Sequence, residues 1–215
     1  MDKKTIISIV VLVILLIGAG WLILGRDKPE SDSSGESKDQ NMALSDEYRN
    51  KQARVKTNYG TFVIDFFDNH APKAVENFVR LSLEGKYNGS PFHRVISSFM
   101  IQGGDYTRGD GTGGQSIWGT PFEDELGESD SEFPGGYKRG VVAMANAGPN
   151  TNSSQFFIMH ADYPLPHLYT IFGEVIEGME VLDKIAAVPV LENAFGEKSV
   201  PTKNVIIEEM TIESK

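Results

Sequence analysis

Alternating and helical patterns of apolar residues divide most of the chain into short elements. Residues 53–67, ARVKTNYGTFVIDFF, alternate apolar and polar positions around an Asn-Tyr-Gly turn, which predicts an antiparallel hairpin. In residues 71–83, APKAVENFVRLSL, apolar side chains recur at every third position and Pro72 suits a first helical turn. This pattern predicts an amphipathic helix that ends near Gly85.

Further apolar stretches, separated by turns rich in glycine and proline, predict additional strands. They span residues 94–102, 141–145, 155–160, 170–175 and 205–210. A second helix is predicted at residues 181–187. Many short strands with only two helices are typical of a mostly β protein, and we expect a closed, mainly antiparallel β-barrel capped by the two helices.

A long apolar segment precedes these elements. Residues 6–24, IISIVVLVILLIGAGWLIL, contain 19 positions without a charge and would span about 28 Å as a helix, against a hydrocarbon core of about 30 Å. We therefore expect residues 1–25 to form an uncleaved transmembrane anchor. The alternatives are a signal peptide cleaved near residues 18–20, which would give a secreted protein, and a buried core helix. The short tail with Lys3 and Lys4 favours an N-terminus inside the cell and a domain outside the cytoplasm.

The next segment differs in composition from both of its neighbours. Residues 26–48 are polar and rich in serine, with seven acidic against three basic side chains. Such a composition buries too little apolar surface to fold, so we predict a flexible acidic linker with a root-mean-square reach of roughly 25 Å. Residues 49–215 are long enough for one folded domain.

Composition narrows the classes of partner. Hydrophobic residues make up 40% of the chain and the formal net charge is −10, so we expect a packed core and no nucleic-acid partner, and the acidic balance favours a monomer. The chain contains no cysteine, which excludes disulfides and thiolate metal sites.

Three familiar chemical motifs are incomplete in this sequence. Residues 109–114, GDGTGG, match G-x-G-x-x-G without the strand and helix of a dinucleotide site, and we interpret them as a mobile loop. The four histidines lack ligand spacing and the acidic residues 123–125 lie in a turn-like run, so no metal site is predicted. Ser153 and Ser154 are not part of a nucleophile elbow. Covalent catalysis is therefore not expected.

One arginine indicates a different chemistry. In residues 92–105, FHRVISSFMIQGGD, Arg94 lies among aromatic and aliphatic residues with no nucleophile beside it. Rotation about an X-Pro amide needs no nucleophile, and its barrier is about 18–20 kcal/mol. A guanidinium that donates to the proline nitrogen more strongly in the twisted state than in the planar state lowers that barrier.

The residues around Arg94 suit such a reaction. Phe99, Met100 and Phe157 offer apolar surfaces that would grip a pyrrolidine ring, and Gln102 would hold a substrate carbonyl. The pattern alone leaves a second interpretation open, in which the apolar residues belong to the core and the arginine faces solvent.

Two longer blocks resemble a known family. FHRVISSFMIQGGD at residues 92–105 and VVAMANAGPNTNSSQFFI at residues 141–158 resemble the two signature blocks of the cyclophilin family of peptidyl-prolyl cis-trans isomerases, and the likeness extends over residues 53–212. The resemblance implies an eight-stranded barrel capped by two helices, an active groove on its outer face and no cofactor. It also implies proline-containing unfolded or nascent polypeptides as substrates.

Position by position, the resemblance implies a set of site residues. Arg94 matches the catalytic arginine, and Gln102 matches the glutamine that positions the arginine and the substrate. The substrate-binding positions comprise the proline-pocket wall, the segment that pairs with the peptide backbone, and a second groove glutamine: Phe99, Met100, Phe157 and Leu165; Ala145, Asn146 and Ala147; and Gln155.

The sequence departs from the best-known cyclophilins at two places. Tyr169 falls where they carry a groove histidine, His167 is two residues away from that position, and no tryptophan stands beside Leu165. This variant resembles that of many prokaryotic cyclophilins and argues against strong cyclosporin binding. In addition, residues 97–98 are Ser-Ser in place of the usual Pro-Gly.

The sequence therefore predicts a membrane-anchored cyclophilin that isomerises X-Pro bonds outside the cytoplasm and assists folding near the membrane. One alternative is a catalytically weak module that binds proline-containing peptides at the membrane. The other alternative is a purely structural envelope protein, in which the residues of the groove would not be retained.

Overall fold

The computed structural model describes residues 44–127 and 136–215. The predicted anchor at residues 1–25 and most of the predicted linker lie outside the described residues, but Leu44 is already buried in the core. Within the described residues no helix is both long and apolar enough to cross a membrane. The elements are β1 (Lys51–Thr57), β2 (Gly60–Phe66), α1 (Pro72–Leu83), β3 (Arg94–Ile96), β4 (Met100–Gly103), β5 (Val141–Met144), β6 (Phe156–Met159), β7 (Ile171–Glu177), α2 (Met179–Ala186), β8 (Val190–Glu192), β9 (Lys198–Pro201) and β10 (Ile207–Ser214).

Eight of the strands form one antiparallel sheet in the order β10-β1-β2-β7-β5-β6-β4-β3, and β8 pairs only with β9. The sheet curls until its two edges approach. Residues 89–92 exchange backbone hydrogen bonds of 2.7–2.9 Å with residues 205–207. Beyond the single bridge of Pro91 to Ile206, no ladder joins β3 to β10 among the described residues. The mostly β fold with two helices is confirmed, but the fully closed barrel is not formed.

The single strand predicted over residues 94–102 is wrong, because the chain reverses within it. β3 and β4 form a hairpin in which Arg94 is the register partner of Gln102. At the turn Ser98 has a positive φ of 61°, and its N–H donates to Nδ1 of His160 at 2.9 Å. That bond supports a serine at a position whose left-handed conformation favours glycine. The hairpin brings the two predicted catalytic side chains together.

The central strands separate two clusters of buried side chains. In β6, Phe156 and Ile158 belong to the main core, whereas Phe157 and Met159 belong to a second cluster on the opposite face. Successive side chains of a strand point to opposite faces of the sheet. The same strand therefore contributes to the core and to the outer face, which explains its uninterrupted apolar sequence.

Helix α1 covers the main core with a fully buried phenylalanine. The ring of Phe78 lies within 5.0–5.6 Å, centroid to centroid, of four other rings, those of Phe66, Tyr87, Phe156 and Phe172. Such edge-on and tilted contacts are the favoured arrangements of aromatic pairs. Helix α2 packs Val181, Leu182 and Ile185 into the same core.

The start of α1 is stabilised by a distant carboxylate. Ala71 at the N-cap position offers no side-chain hydrogen bond. Instead, the two carboxylate oxygens of Glu125 accept hydrogen bonds from the N–H groups of Lys73 at 3.0 Å and Ala74 at 2.8 Å. The first N–H groups of a helix have no intrahelical partner. Glu125 therefore replaces an N-cap and attaches the loop before residue 127 to the helix.

Candidate active site

The predicted site residues all line one groove-like cavity of about 190 Å³ on the face of the second cluster. These eleven are Arg94, Phe99, Met100, Gln102, Ala145, Asn146, Ala147, Gln155, Phe157, Leu165 and Tyr169. The structure therefore brings the predicted residues together at one cavity. The cavity is completed by residues that the sequence did not indicate, which are Gly111, Thr112, Gly113, Thr151, Ser153 and Asn193.

The apolar part of the cavity is a nearly buried surface of rings. Phe99 and Phe157 are only 4% and 5% exposed, and Phe99 is packed against the ring of Tyr163 at 4.5 Å. The guanidinium carbon of Arg94 lies 6.0 Å from the centroid of Phe99. A charged donor group thus lies beside an apolar surface, an arrangement suited to a ligand that is both apolar and hydrogen-bonding, such as proline.

Arg94 is held by an acidic partner that the sequence did not indicate. Its Nε and Nη2 donate to the two carboxylate oxygens of Glu197 at 2.8 and 2.7 Å. Its Nη1 is 3.3 Å from Oε1 of Gln102 and 3.7 Å from the sulfur of Met100. Burial raises the pKa of Glu197, but hydrogen bonds and charge from Arg94 outweigh it and lower that pKa below its ordinary value. Glu197 is therefore ionised at neutral pH.

Two glutamines continue the hydrogen bonds of Arg94 across the cavity. Nε2 of Gln102 donates to Oε1 of Gln155 at 3.0 Å. Nε2 of Gln155 donates in turn to the carbonyls of Gly111 at 2.9 Å and Gly113 at 2.8 Å. These bonds determine the orientation of both side-chain amides. The polar side of the cavity is consequently one connected network.

The glycine-rich loop at residues 109–114 is tied down by a buried aspartate, which differs from the mobile loop predicted. The carboxylate of Asp105 accepts from the N–H groups of residues 107, 108, 111 and 113 at 3.0–3.2 Å. Burial raises the pKa of Asp105, but these backbone bonds prevail and lower it to about 2. The loop thereby presents two carbonyls to Gln155. No helix follows it within residues 115–127, although a dinucleotide site of this motif requires one.

A half-buried histidine lies directly under this loop, and both of its ring nitrogens are shielded from solvent. Gly111 has a φ of +89°, and a Cβ there would be 2.8 Å from the ring of His93. Neither ring nitrogen of His93 has a hydrogen-bond partner among the described residues. Burial lowers the pKa of His93 to about 4, so the ring is neutral at physiological pH. Only glycine allows the loop to approach this ring so closely.

The segment predicted to pair with a peptide backbone lies at the rim of the cavity. The N–H of Ala145 donates to the carbonyl of Gln155 at 2.9 Å, and the N–H of Ala147 donates to the hydroxyl of Thr151 at 2.8 Å. Because both groups are engaged within the protein, pairing with a peptide would fall to the carbonyls and to the N–H of Asn146.

Tyr169 occupies the end of the apolar surface. Its ring meets Phe157 edge-on at 5.5 Å, and its backbone is held by the hydroxyl of Tyr137, which accepts from the N–H and donates to the carbonyl at 3.0 Å. His167 does not line the cavity, and its Nε2 bonds to the carbonyl of Leu126. Of these two side chains, only Tyr169 lines the cavity.

The described residues contain no group of three or more histidine and carboxylate side chains arranged to hold a metal ion.

Glu197 is the important residue that sequence reasoning missed. It lies in the turn of the β8–β9 hairpin, far along the chain from Arg94, and only the three-dimensional packing reveals the pair.

The sequence of the folded domain matches a known protein family. A profile described as "Cyclophilin type peptidyl-prolyl cis-trans isomerase/CLD" matches residues 52–212. The human protein named peptidyl-prolyl cis-trans isomerase-like 3 is 46% identical over 159 residues, which are 74% of this chain and 93% of the relative. Peptidyl-prolyl cis-trans isomerase-like 2 of Cryptococcus neoformans is 45% identical over 166 residues, but this chain spans only 27% of its length.

A solved structure is similar as well. The crystal structure of a cyclophilin type peptidyl-prolyl cis-trans isomerase from Cryptosporidium parvum, determined in the presence of the dipeptide Ala-Pro, matches with a TM-score of 0.67 and 39% identity. The match covers 76% of this chain and 99% of that chain.

Proposed function

Because this chain belongs to the cyclophilin family of peptidyl-prolyl cis-trans isomerases, we propose that its cavity accelerates the rotation of X-Pro bonds in polypeptide substrates. The single observation that carries this proposal is the position of Arg94 beside the apolar rings of the cavity. The relatives named as isomerases and the neighbour solved with Ala-Pro support it.

The guanidinium of Arg94 is the proposed electrostatic catalyst. Twisting the X-Pro bond breaks amide resonance and leaves a more basic proline nitrogen, to which Nη1 donates. An acceleration of about a thousandfold requires roughly 4 kcal/mol, the strength of one or two charge-assisted hydrogen bonds. The contribution is catalytic because the bond is stronger in the twisted state than in the planar state.

The remaining residues hold the substrate while it turns. Phe99, Met100 and Phe157 contact the pyrrolidine ring. The side-chain amide of Gln102 binds the carbonyl of the residue that precedes the proline. The network through Gln155 fixes the amide of Gln102, so little reorganisation is needed when the substrate binds. No cofactor takes part in this scheme.

The proposal is tested by measuring exchange between the cis and trans forms of an Ala-X-Pro-Phe peptide by NMR with the full chain. Arg94→Ala should lower kcat/KM by about a hundredfold to a thousandfold, since one or two charge-assisted bonds are lost. Line broadening from binding without faster exchange by the wild type would instead identify the catalytically weak binding module.

Arg54 provides a matched control. Its Nε and Nη2 form the same type of bidentate pair with Glu213, at 2.7 and 3.2 Å, between β1 and β10. Because Arg54 does not line the cavity, Arg54→Ala should retain full isomerase activity. Equal loss in both variants would mean that the effect comes from folding and would remove the role of Arg94.

The finer proposal concerns location. We propose that residues 6–24 anchor this cyclophilin in the membrane and that its domain lies outside the cytoplasm and assists proteins that fold near the membrane. Tyr169 supports a prokaryotic-like member, and the acidic net charge supports a monomer. Secretion after cleavage is the alternative. Protease treatment of intact cells or spheroplasts tests the placement, because a domain that survives until the membrane is broken would be inside.

A further inference from the structure

The hairpin formed by β8 and β9 lies outside the main sheet and packs against β3. Its turn is defined by internal hydrogen bonds. Oδ1 of Asn193 accepts from the N–H of Phe195 at 2.9 Å and of Glu197 at 3.0 Å, and the N–H of Asn193 donates to the carbonyl of Glu197 at 2.8 Å. The backbone that carries Glu197 is thus held in place independently of Arg94.

The carboxylate of Glu197 approaches the guanidinium from the edge that does not face the cavity. It binds Nε and Nη2, whereas Nη1 points toward Gln102 and Met100. Arg94 lines the cavity but Glu197 does not. Glu197 therefore uses neither N–H of Nη1, which makes only the longer contacts to Gln102 and Met100, and it does not occupy the place of a substrate.

Burial makes the pair sensitive to the loss of either member. The side chains of Arg94 and Glu197 are only 9% and 14% exposed. A nearly buried charge without a counter-charge is strongly unfavourable. A guanidinium deprived of this carboxylate would be drawn toward water or toward another acceptor, and its Nη1 would leave the position beside Gln102.

We propose that Glu197 is a positioning residue for the isomerase reaction, which holds Arg94 so that Nη1 is presented to the proline nitrogen. The inference rests on the proposed function and adds to it a residue from a separate hairpin. Glu197 contacts neither the substrate nor the bond that rotates. Its effect on turnover passes entirely through Arg94.

The experiment measures kcat and KM for the X-Pro peptide with full-length Glu197→Ala and Glu197→Gln. Glu197→Ala should lower kcat by about tenfold or more while KM changes little, because a misplaced donor weakens the transition state more than the ground state. Glu197→Gln keeps one acceptor oxygen and should fall between. Glu192→Ala, which removes an exposed carboxylate from the same hairpin, should match the wild type.

Two readouts separate positioning from a general loss of structure. In an Arg94→Ala background, Glu197→Ala should have no further effect on kcat, since the coupling requires the guanidinium. The NMR signal of the Arg94 Nε–H should be sharp and slowly exchanging in the wild type and in Glu192→Ala, and lost to exchange in Glu197→Ala.

The outcomes distinguish this inference from the function on which it rests. Absence of turnover by the wild type would overturn both. A wild type that isomerises, together with a Glu197→Ala variant of equal or higher kcat, would overturn the positioning role alone, and a higher kcat would identify the carboxylate as a brake on the arginine. A further loss of kcat in the Arg94→Ala background would also contradict it.

Discussion

Acidic pH should destabilise the folded protein because His93 takes up a proton more readily in the unfolded chain. Burial lowers the pKa of this ring from 6.5 to about 4, and unfolding restores the ordinary value, so the unfolded chain takes up the proton first. The contribution of the neutral His93 ring to the free energy of unfolding is therefore complete above pH 6.5 and is lost as the pH falls to about 4. The difference between the two pKa values, at 1.36 kcal/mol per pKa unit, corresponds to roughly 3 kcal/mol.

Urea unfolding of the full chain between pH 7 and pH 4 measures this contribution, with His93→Gln as the comparison. Glutamine has a similar length and does not titrate, so the free energy of unfolding should fall by roughly 3 kcal/mol more in the wild type than in the variant over this range. Asp105 does not interfere, because its pKa of about 2 places its contribution below pH 3.8. Identical pH slopes for the two proteins would refute the reasoning.

Two other substitutions test the packing that supports the site. Phe157→Ala should cost about 3–5 kcal/mol in urea unfolding and also lower kcat/KM, because its ring packs against Tyr169 and lines the cavity; a loss of stability with full activity would exclude Phe157 from the substrate surface. Glu125→Ala should cost about 1–2 kcal/mol, since the N–H groups of Lys73 and Ala74 lose their acceptors; thermal unfolding at an unchanged temperature would show that the cap contributes nothing.

Local sequence patterns were sufficient for the elements whose apolar faces meet the main core. The helix predicted over residues 71–83 is observed at Pro72–Leu83, and the opening hairpin is observed as β1 and β2. The β8–β9 hairpin was missed because apolar residues in it face solvent and not the core. Leu191 and Val200 are register partners, yet they are 60% and 38% exposed, so their hydrophobicity gives no signal of a buried face.

Some residues of the candidate site could be predicted from the sequence, and others depend on tertiary packing. Arg94 and its apolar neighbours lie within one short stretch, and the resemblance supplied the other residues that line the cavity. Glu197 belongs to no motif in the chain. Its effect on Arg94 depends on the docking of one hairpin against β3, which no periodicity within a single segment encodes. The open edge of the sheet likewise depends on how residues 89–92 meet residues 205–207.

The shared strands also constrain how this protein can change during evolution. Since neighbouring residues of β6 alternate between the main core and the second cluster, a deletion of one residue within the strand would move the side chains that follow it to the opposite face. An insertion or deletion in β6 would therefore disturb the core and the outer face together, whereas a single replacement acts on one face. New substrate preferences can arise by exchanging side chains at alternate positions, or by altering the length of the loops around the rim. The core and the surface of the cavity are therefore inherited together, because β6 contributes side chains to both.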